Sequence, residues 1–155
     1  MDQKPKILII KTGGTITMVR GADGTLGPYR DDVKLLDAVP EARTLADIDV
    51  LPLANIDSSN VRPPLWQELA RAIYARIDAY DGFVVTHGTD TLAYTAAALA
   101  FMLQELDRPV VVTGAQVPLE EVGSDARANL INAVRVAVAD VAGVLVVFGT
   151  SIIRG

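Results

Sequence analysis

Apolar residues enter this chain in short unbroken runs, each bounded by glycine, proline or polar residues. Ile7, Leu8, Ile9 and Ile10 form the first, residues 83–85, 110–112 and 144–148 repeat the form, and residues 48–53, interrupted by Asp49, make a looser apolar stretch that also predicts a strand. A continuous run of this length marks a strand covered on both faces, as in a parallel sheet; a strand with one wet face would alternate. Between the runs the period changes. Pro63 and Pro64 suit the first turn of a helix, and Trp66, Leu69, Ala70, Ile73, Tyr74 and Ile77 then recur at helical spacing, which predicts one face packed on the sheet. A long helix is predicted over residues 91–105, and its apolar stretch, 93–103, reads as buried. A short helix is expected to begin near Asp31 and Asp32, and Ser124 with Asp125 offers an N-cap to a helix running to about residue 140. Residues 20–29, rich in Gly, Asp and Pro, read as a flexible excursion able to cover a site. Strands alternating with helices predict an α/β fold: a three-layer, doubly wound, mostly parallel sheet with helices on both faces and right-handed connections.

Composition narrows what such a fold can do. With 155 residues, half of them hydrophobic, one well-formed core and one domain over residues 1–155 are expected. The 14 basic residues against 19 acidic are scattered, so no stripe neutralises phosphates and no nucleic-acid partner is expected. Cysteine is absent and His87 is the single histidine, which removes thiolate and ordinary zinc sites; no metal and no cofactor are expected. The run of residues 7–10 is too short for a signal-peptide core, and residues 93–103 are about half of what a membrane crossing needs. No membrane partner and a cytoplasmic location are therefore expected.

Two of the strands end in hydroxyl-bearing loops. Thr12-Gly13-Gly14-Thr15-Ile16 follows the first run, and Thr86-His87-Gly88-Thr89-Asp90-Thr91 follows the run at 83–85. Open α/β sheets bind ligands beyond the carboxyl ends of their strands, so both loops are candidates for one crevice if those strands lie close. The glycines let the backbone approach a ligand closely, and Thr15 is a nucleophile candidate that needs a neighbouring base or a fixed polar environment. Thr89 and Asp90 supply a hydroxyl and a carboxylate together. Structural readings stand beside each of these. The glycine turn can be a tight strand-to-helix turn or a phosphate cradle, although no Gly-Lys-Ser/Thr follows it. Thr89-Asp90 can be a helix N-cap, Asp57-Ser58-Ser59 a turn bonded to its own backbone, Ser124-Asp125 a cap, and His87 a structural or supporting residue.

Together the motifs resemble the bacterial-type L-asparaginase family, in its cytoplasmic, type I-like branch. The resemblance is carried by Thr12 to Ile16, Asp57-Ser58-Ser59 followed by Trp66, Tyr80-Asp81-Gly82-Phe83 running into Thr86 to Thr91, Arg108-Pro109-Val110, Thr113-Gly114-Ala115-Gln116-Val117-Pro118, and Ser124-Asp125 leading to Asn129-Leu130. It implies an amidohydrolase that converts L-asparagine to L-aspartate and ammonia through an acyl-enzyme on Thr15, with Thr89 and Asp90 in a second polar group. It implies that Gly14, Asp57, Ser58, Ser59 and Asp90 hold the substrate, Ala115 lies in the loop beneath the amide, and Tyr29, or else Thr25, belongs to a mobile covering loop. The resemblance also implies a smaller second domain, absent here, and an active-site lysine beyond the position matching Gly155. No lysine follows Lys34, so a proton path at Thr89 would draw on Lys11, Arg154 or ordered water. The other readings are a non-catalytic amino-acid-binding domain and an inactive fragment. A homo-oligomer is expected from the apolar helix at residues 93–103.

Overall fold

The computed structural model describes residues 4–20, 23–28 and 32–155. In chain order its strands are β1 Lys6–Gly13, β2 Met18–Arg20, β3 Leu26–Pro28, β4 Asp47–Ile56, β5 Gly82–Thr86, β6 Pro109–Thr113, β7 Gly143–Phe148 and β8 Ser151–Arg154. The helices are α1 Asp32–Ala38, α2 Ala42–Leu45, α3 Pro63–Tyr74, α4 Leu92–Met102 and α5 Ala126–Ala137. One six-stranded sheet runs β4-β1-β5-β6-β7-β8; its first five strands are parallel and only β8 is antiparallel. Strands β2 and β3 form a small antiparallel ribbon of their own.

The pleat sends alternate side chains of each central strand to opposite faces, and both faces are dry. Ile7, Ile9, Val84, Val111 and Val147 pack against Leu35, Leu36, Val39 and Ala42 of the α1–α2 segment and against Leu130, Ala133 and Val134 of α5. Leu8, Ile10, Phe83, Val85, Val110, Val112 and Val144 meet Leu65, Leu69 and Ile73 of α3 and Leu92, Ala96 and Leu99 of α4. This is the three-layer α/β arrangement that the continuous apolar runs imply. Thr86, wholly buried at the end of β5, has a hydroxyl without a hydrogen-bond partner among the described residues. Thr86→Val is expected to raise stability by about 1 kcal/mol, because it removes a desolvated group that gains nothing in return. Thermal unfolding of the two proteins, with a rise of roughly 2–4 °C, checks it.

Several expectations need correction. Uniformly right-handed connections do not hold. The chain steps from β5 to β6 and from β6 to β7 in the same direction across the sheet, yet α4 lies on one face and α5 on the other. The β6–α5–β7 connection therefore has the opposite hand to the one before it. Residues 114–125 make this possible, because they are long enough to carry the chain around the edge of the layer. The strand predicted at 48–53 begins at Asp47 and runs on to Ile56. Helix α3 ends at Tyr74, which is 75% exposed, leaving Ile77 in the following turn. Helix α4 stops at Met102, not Glu105, which adopts a φ of 56°, and it is buried on one side only: Tyr94 and Phe101 are 68% and 76% exposed. Helix α5 ends at Ala137 rather than near residue 140. The excursion at 20–29 contains strand β3, and β2 forms just before it, where no strand is predicted.

Candidate active site

Among its parallel strands the sheet has the spatial order second, first, third, fourth, fifth, so the direction of winding reverses between β1 and β5. At such a switch point the loops leaving the two strands part to opposite faces and open a crevice at their carboxyl ends. The glycine turn leaves β1 there, and the loop bearing Thr89 and Asp90 leaves β5. Strand pairing of Ile10 with Val85 and of Lys11 with Thr86 sets the two side by side, and Thr12 Oγ1 donates to the Thr86 carbonyl across 2.8 Å. The resulting cleft is lined by Gly14, Thr15, Met18, Asp57, Ser58, Gly88, Thr89 and Asp90.

Each loop is held by its own local chemistry. Thr15 opens a short 3-10 turn, Thr15–Thr17, closed by Thr17 donating from both its N–H and its hydroxyl to the Gly14 carbonyl at 3.0 Å. Asp57 begins a second 3-10 turn, Ser58–Asn60, and its Oδ1 accepts from the Ser59 N–H at 2.9 Å and the Ser59 hydroxyl at 2.7 Å. The Ser59 hydroxyl, followed by its N–H, holds the Asp57 carboxyl below the ordinary carboxylate range. The turn reading of Asp57-Ser58-Ser59 is thus correct as local structure, and the same turn carries Asp57 and Ser58 into the cleft. Thr91 Oγ1 donates to the Ser58 carbonyl at 2.7 Å, joining this turn to the loop after β5. The cap reading of Thr89 and Asp90 does not hold: Thr91 occupies the N-cap position of α4.

The predicted residues divide accordingly. Gly14, Thr15, Asp57, Ser58, Thr89 and Asp90 meet in the cleft. Ser59 does not line it, since its side chain is turned onto Asp57. Ala115 is also outside the lining: it is wholly buried, packed in the core on the α5 side of the sheet. Tyr29 lies outside the described residues, and Thr25 is exposed, bonded to Asp23 Oδ1 at 2.7 Å. Lys11 is buried within β1 and is not in the lining, and Arg154 lines a wider groove with Glu105 and Gly143 at the other end of the strands. Met18 and Gly88 line the cleft although no role was assigned to them; the signal for Gly88 was its place inside the same motif.

Asp125 holds the N-cap position of α5, as predicted, but its side chain makes no capping bond there. Its carboxylate accepts from the Gln116 and Val117 N–H groups at 3.0 Å, stapling the loop after β6, while Ser124 Oγ accepts from the Ala126 N–H. Asn129 Nδ2 donates to the Gly114 carbonyl at 2.9 Å, and its Oδ1 accepts from the Gly149 N–H at 2.8 Å. A buried asparagine thereby ties together the loops that leave β6 and β7.

His87 is wholly buried behind the cleft, and burial pushes its pKa below the ordinary 6.5, with the hydrogen bond to Gly88 opposing. A buried neutral histidine leaves the unfolded chain binding the proton more readily than the folded one. Stability is therefore complete above about pH 6.5 and falls as pH drops from there towards the folded pKa, by at most about 1.4 kcal/mol per pH unit. His87 is the single histidine of the chain, the side-chain type whose ordinary pKa falls in that interval. Thermal unfolding between pH 7.5 and 5 is expected to show this slope, and His87→Asn to flatten it between pH 6.5 and 5.

The family model described as Asparaginase, N-terminal, matches residues 6–155. The chain is 46% identical over 140 residues to L-asparaginase 1 of Escherichia coli strain K12, covering 87% of this chain and 41% of that protein. It is 43% identical over 150 residues to a glutamyl-tRNA(Gln) amidotransferase subunit of Methanosarcina mazei, covering 95% of this chain and 35% of that one. A solved structure described as "Probable Cytoplasmic L-asparaginase from Campylobacter jejuni" superposes with a TM-score of 0.86 at 39% identity, over 97% of this chain and 46% of that one. The chain thus spans less than half the length of these relatives.

Proposed function

Since this chain belongs to the asparaginase family, matching its N-terminal model, we propose that it is the α/β domain of an amidohydrolase that converts L-asparagine to L-aspartate and ammonia. The observation that carries the proposal is the meeting of Thr15, Ser58, Thr89 and Asp90 in one cleft at the switch point of the sheet. In this reading Thr15 Oγ attacks the side-chain amide carbon as a base takes its proton; the C–N bond breaks, and the nitrogen leaves as ammonia after protonation. Water then attacks the resulting ester, frees L-aspartate and returns the proton to Thr15. Hydroxyls and backbone N–H groups donate to the substrate's α-carboxylate, and Asp90 pairs with its α-ammonium. Asp57, whose own proton is held off by Ser59, contributes a second acceptor. Thr89 belongs to the group that moves the proton.

Ammonia release from L-asparagine by this chain, followed by a coupled assay, is expected above the uncatalysed rate; none from correctly folded protein overturns the reading. Binding of L-aspartate without ammonia release would identify a non-catalytic amino-acid-binding domain instead. The likeness to an amidotransferase component makes L-glutamine the second amide to assay. Little or no release from it is expected.

Self-association belongs to the same proposal. Tyr94, Phe101 and Met102 on α4 and Tyr74 on α3 are exposed large apolar side chains, of the kind that mark contacts. Light scattering across concentrations is expected to show an oligomer, and a strict monomer counts against it. The likeness to the Campylobacter protein supports a cytoplasmic location.

A further inference from the structure

Behind the cleft a line of polar groups crosses the otherwise apolar layer between the sheet and helices α3 and α4. Trp66 Nε1 donates to Thr95 Oγ1 at 2.9 Å, Thr95 Oγ1 stands 2.9 Å from His87 Nε2, and His87 Nδ1 stands 2.7 Å from the Gly88 carbonyl oxygen. His87 and Thr95 are wholly buried. The chemistry proposed for the cleft uses none of these three side chains.

The protons in this line have one consistent order. A carbonyl oxygen only accepts, so the hydrogen sits on Nδ1 of His87. The neutral ring then carries a lone pair on Nε2, which takes the Thr95 hydroxyl proton, and the Thr95 oxygen in turn takes the indole N–H. The opposite tautomer would set two lone pairs against each other at 2.7 Å. Desolvation disfavours the imidazolium, which keeps the ring in the one-donor, one-acceptor form that the line requires.

What the line ends on is the backbone of the cleft. The Gly88 carbonyl belongs to the peptide unit that also holds the Thr89 N–H, and in a planar trans peptide these two groups point in opposite directions. A carbonyl held against the buried ring therefore sends the Thr89 N–H away from it. The neighbouring backbone is confined too. His87 N–H donates to the Thr113 carbonyl at 2.9 Å, and a Cβ built on Gly88 would stand 2.7 Å from Ser58 Cβ.

We propose that Trp66, Thr95 and His87 form a positioning device that sets the Gly88–Thr89 peptide plane, so that the Thr89 N–H and side chain face the cleft. His87 acts here as a positioning residue, working through the backbone that it holds. The part of this inference that concerns ligand rests on the function proposed above; the part that concerns the peptide plane does not.

The test therefore reads both. In 15N-labelled protein at pH 7, long-range correlation of the imidazole nitrogens is expected to show Nδ1 protonated and Nε2 bare. His87→Asn places an amide N–H near the Nδ1 position and is expected to keep the Gly88, Thr89 and Asp90 amide signals close to those of the unaltered chain, with L-aspartate affinity within about threefold. His87→Gln, whose amide reaches the Nε2 position instead, and His87→Phe are expected to shift those signals and to weaken L-aspartate at least about tenfold, as misplacement of a binding group does. A protonated Nε2, or Asn and Gln variants that behave alike, overturns the proposal. Should the unaltered chain neither bind L-aspartate nor release ammonia, the functional reading fails, and the tautomer and the three amide signals decide the positioning role alone. The Asn and Gln proteins keep a polar side chain, so that comparison survives if the Phe variant fails to fold.

Discussion

Thr15→Ala is expected to release ammonia from L-asparagine at least about 10³-fold more slowly than the unaltered chain, with its thermal midpoint changed by no more than 1–2 °C, roughly the span of a minor surface substitution. Thr15 is only partly buried at the start of its 3-10 turn, and the turn is closed by Thr17 onto Gly14, so truncating Thr15 leaves those bonds in place. The cost falls on the reaction. Without the hydroxyl no acyl-enzyme forms, and only binding and polar stabilisation remain, which supply a small part of a nucleophilic enzyme's rate. Thr15→Ser, which keeps the oxygen but loses the methyl group that restricts its rotamer, is expected to fall between the two. Assays at saturating L-asparagine, with circular dichroism as the folding control, decide it. An alanine variant within tenfold of the unaltered chain would remove Thr15 from the chemistry.

The largest effect on stability is expected from Gly14→Ala. Gly14 adopts φ 83° and ψ 166°, a region essentially closed to residues with a side chain, and occupying it costs of order 1–3 kcal/mol. An added Cβ would also stand 2.6 Å from Gly88 Cα and from the His87 carbonyl carbon. Both are backbone atoms of the facing loop, held in place by Thr12, Thr91 and Thr113, so the clash cannot be relieved by turning a side chain. Crowding of that kind adds about 1–3 kcal/mol. Together they predict a loss of about 3 kcal/mol or more and a thermal midpoint lower by roughly 6–12 °C. L-aspartate binding is expected to disappear well below that midpoint, because the two halves of the cleft are pushed apart. Gly24→Ala separates the contributions: Gly24 has a φ of 80° with nothing within 4 Å of an added Cβ, so only the backbone strain applies there. Equal losses in the two variants would refute the close packing of the loops after β1 and β5.

Local pattern was legible wherever the physics is local. Continuous apolar runs do not distinguish one face of a strand from the other, and that very ambiguity marks strands covered on both faces; β1, β5, β6 and β7 were found this way. Helix ends were less legible. The apolar stretch over 93–103 carries no polar stripe to show which side faces out, so Tyr94 and Phe101 read as buried although both are exposed. The hand of the β6–α5–β7 connection was hidden for another reason: a loop's length permits either face, and only the packed layers place α5 beside α1 and α2. Asp125 shows the same limit at the level of side chains. It carries the residue type of a cap, yet its carboxylate bonds the Gln116 and Val117 N–H groups, which only the fold of the loop after β6 brings within reach.

By itself, then, the sequence determined the fold class, the order of strands and helices along the chain, and the two hydroxyl-bearing loops with their glycines, since apolar run length, helical period and turn chemistry are properties of neighbouring residues. The tertiary structure alone decided which loops share a cleft, because that depends on β1 lying between β4 and β5, a pairing of segments about 40 and 75 residues away. It also decided that Ala115 belongs to the core and that His87 stands behind the cleft, joined to Trp66 and Thr95 by hydrogen bonds. Contacts of that range form only when burial of the whole sheet outweighs the entropy of closing the chain between them, so no short stretch of residues specifies them.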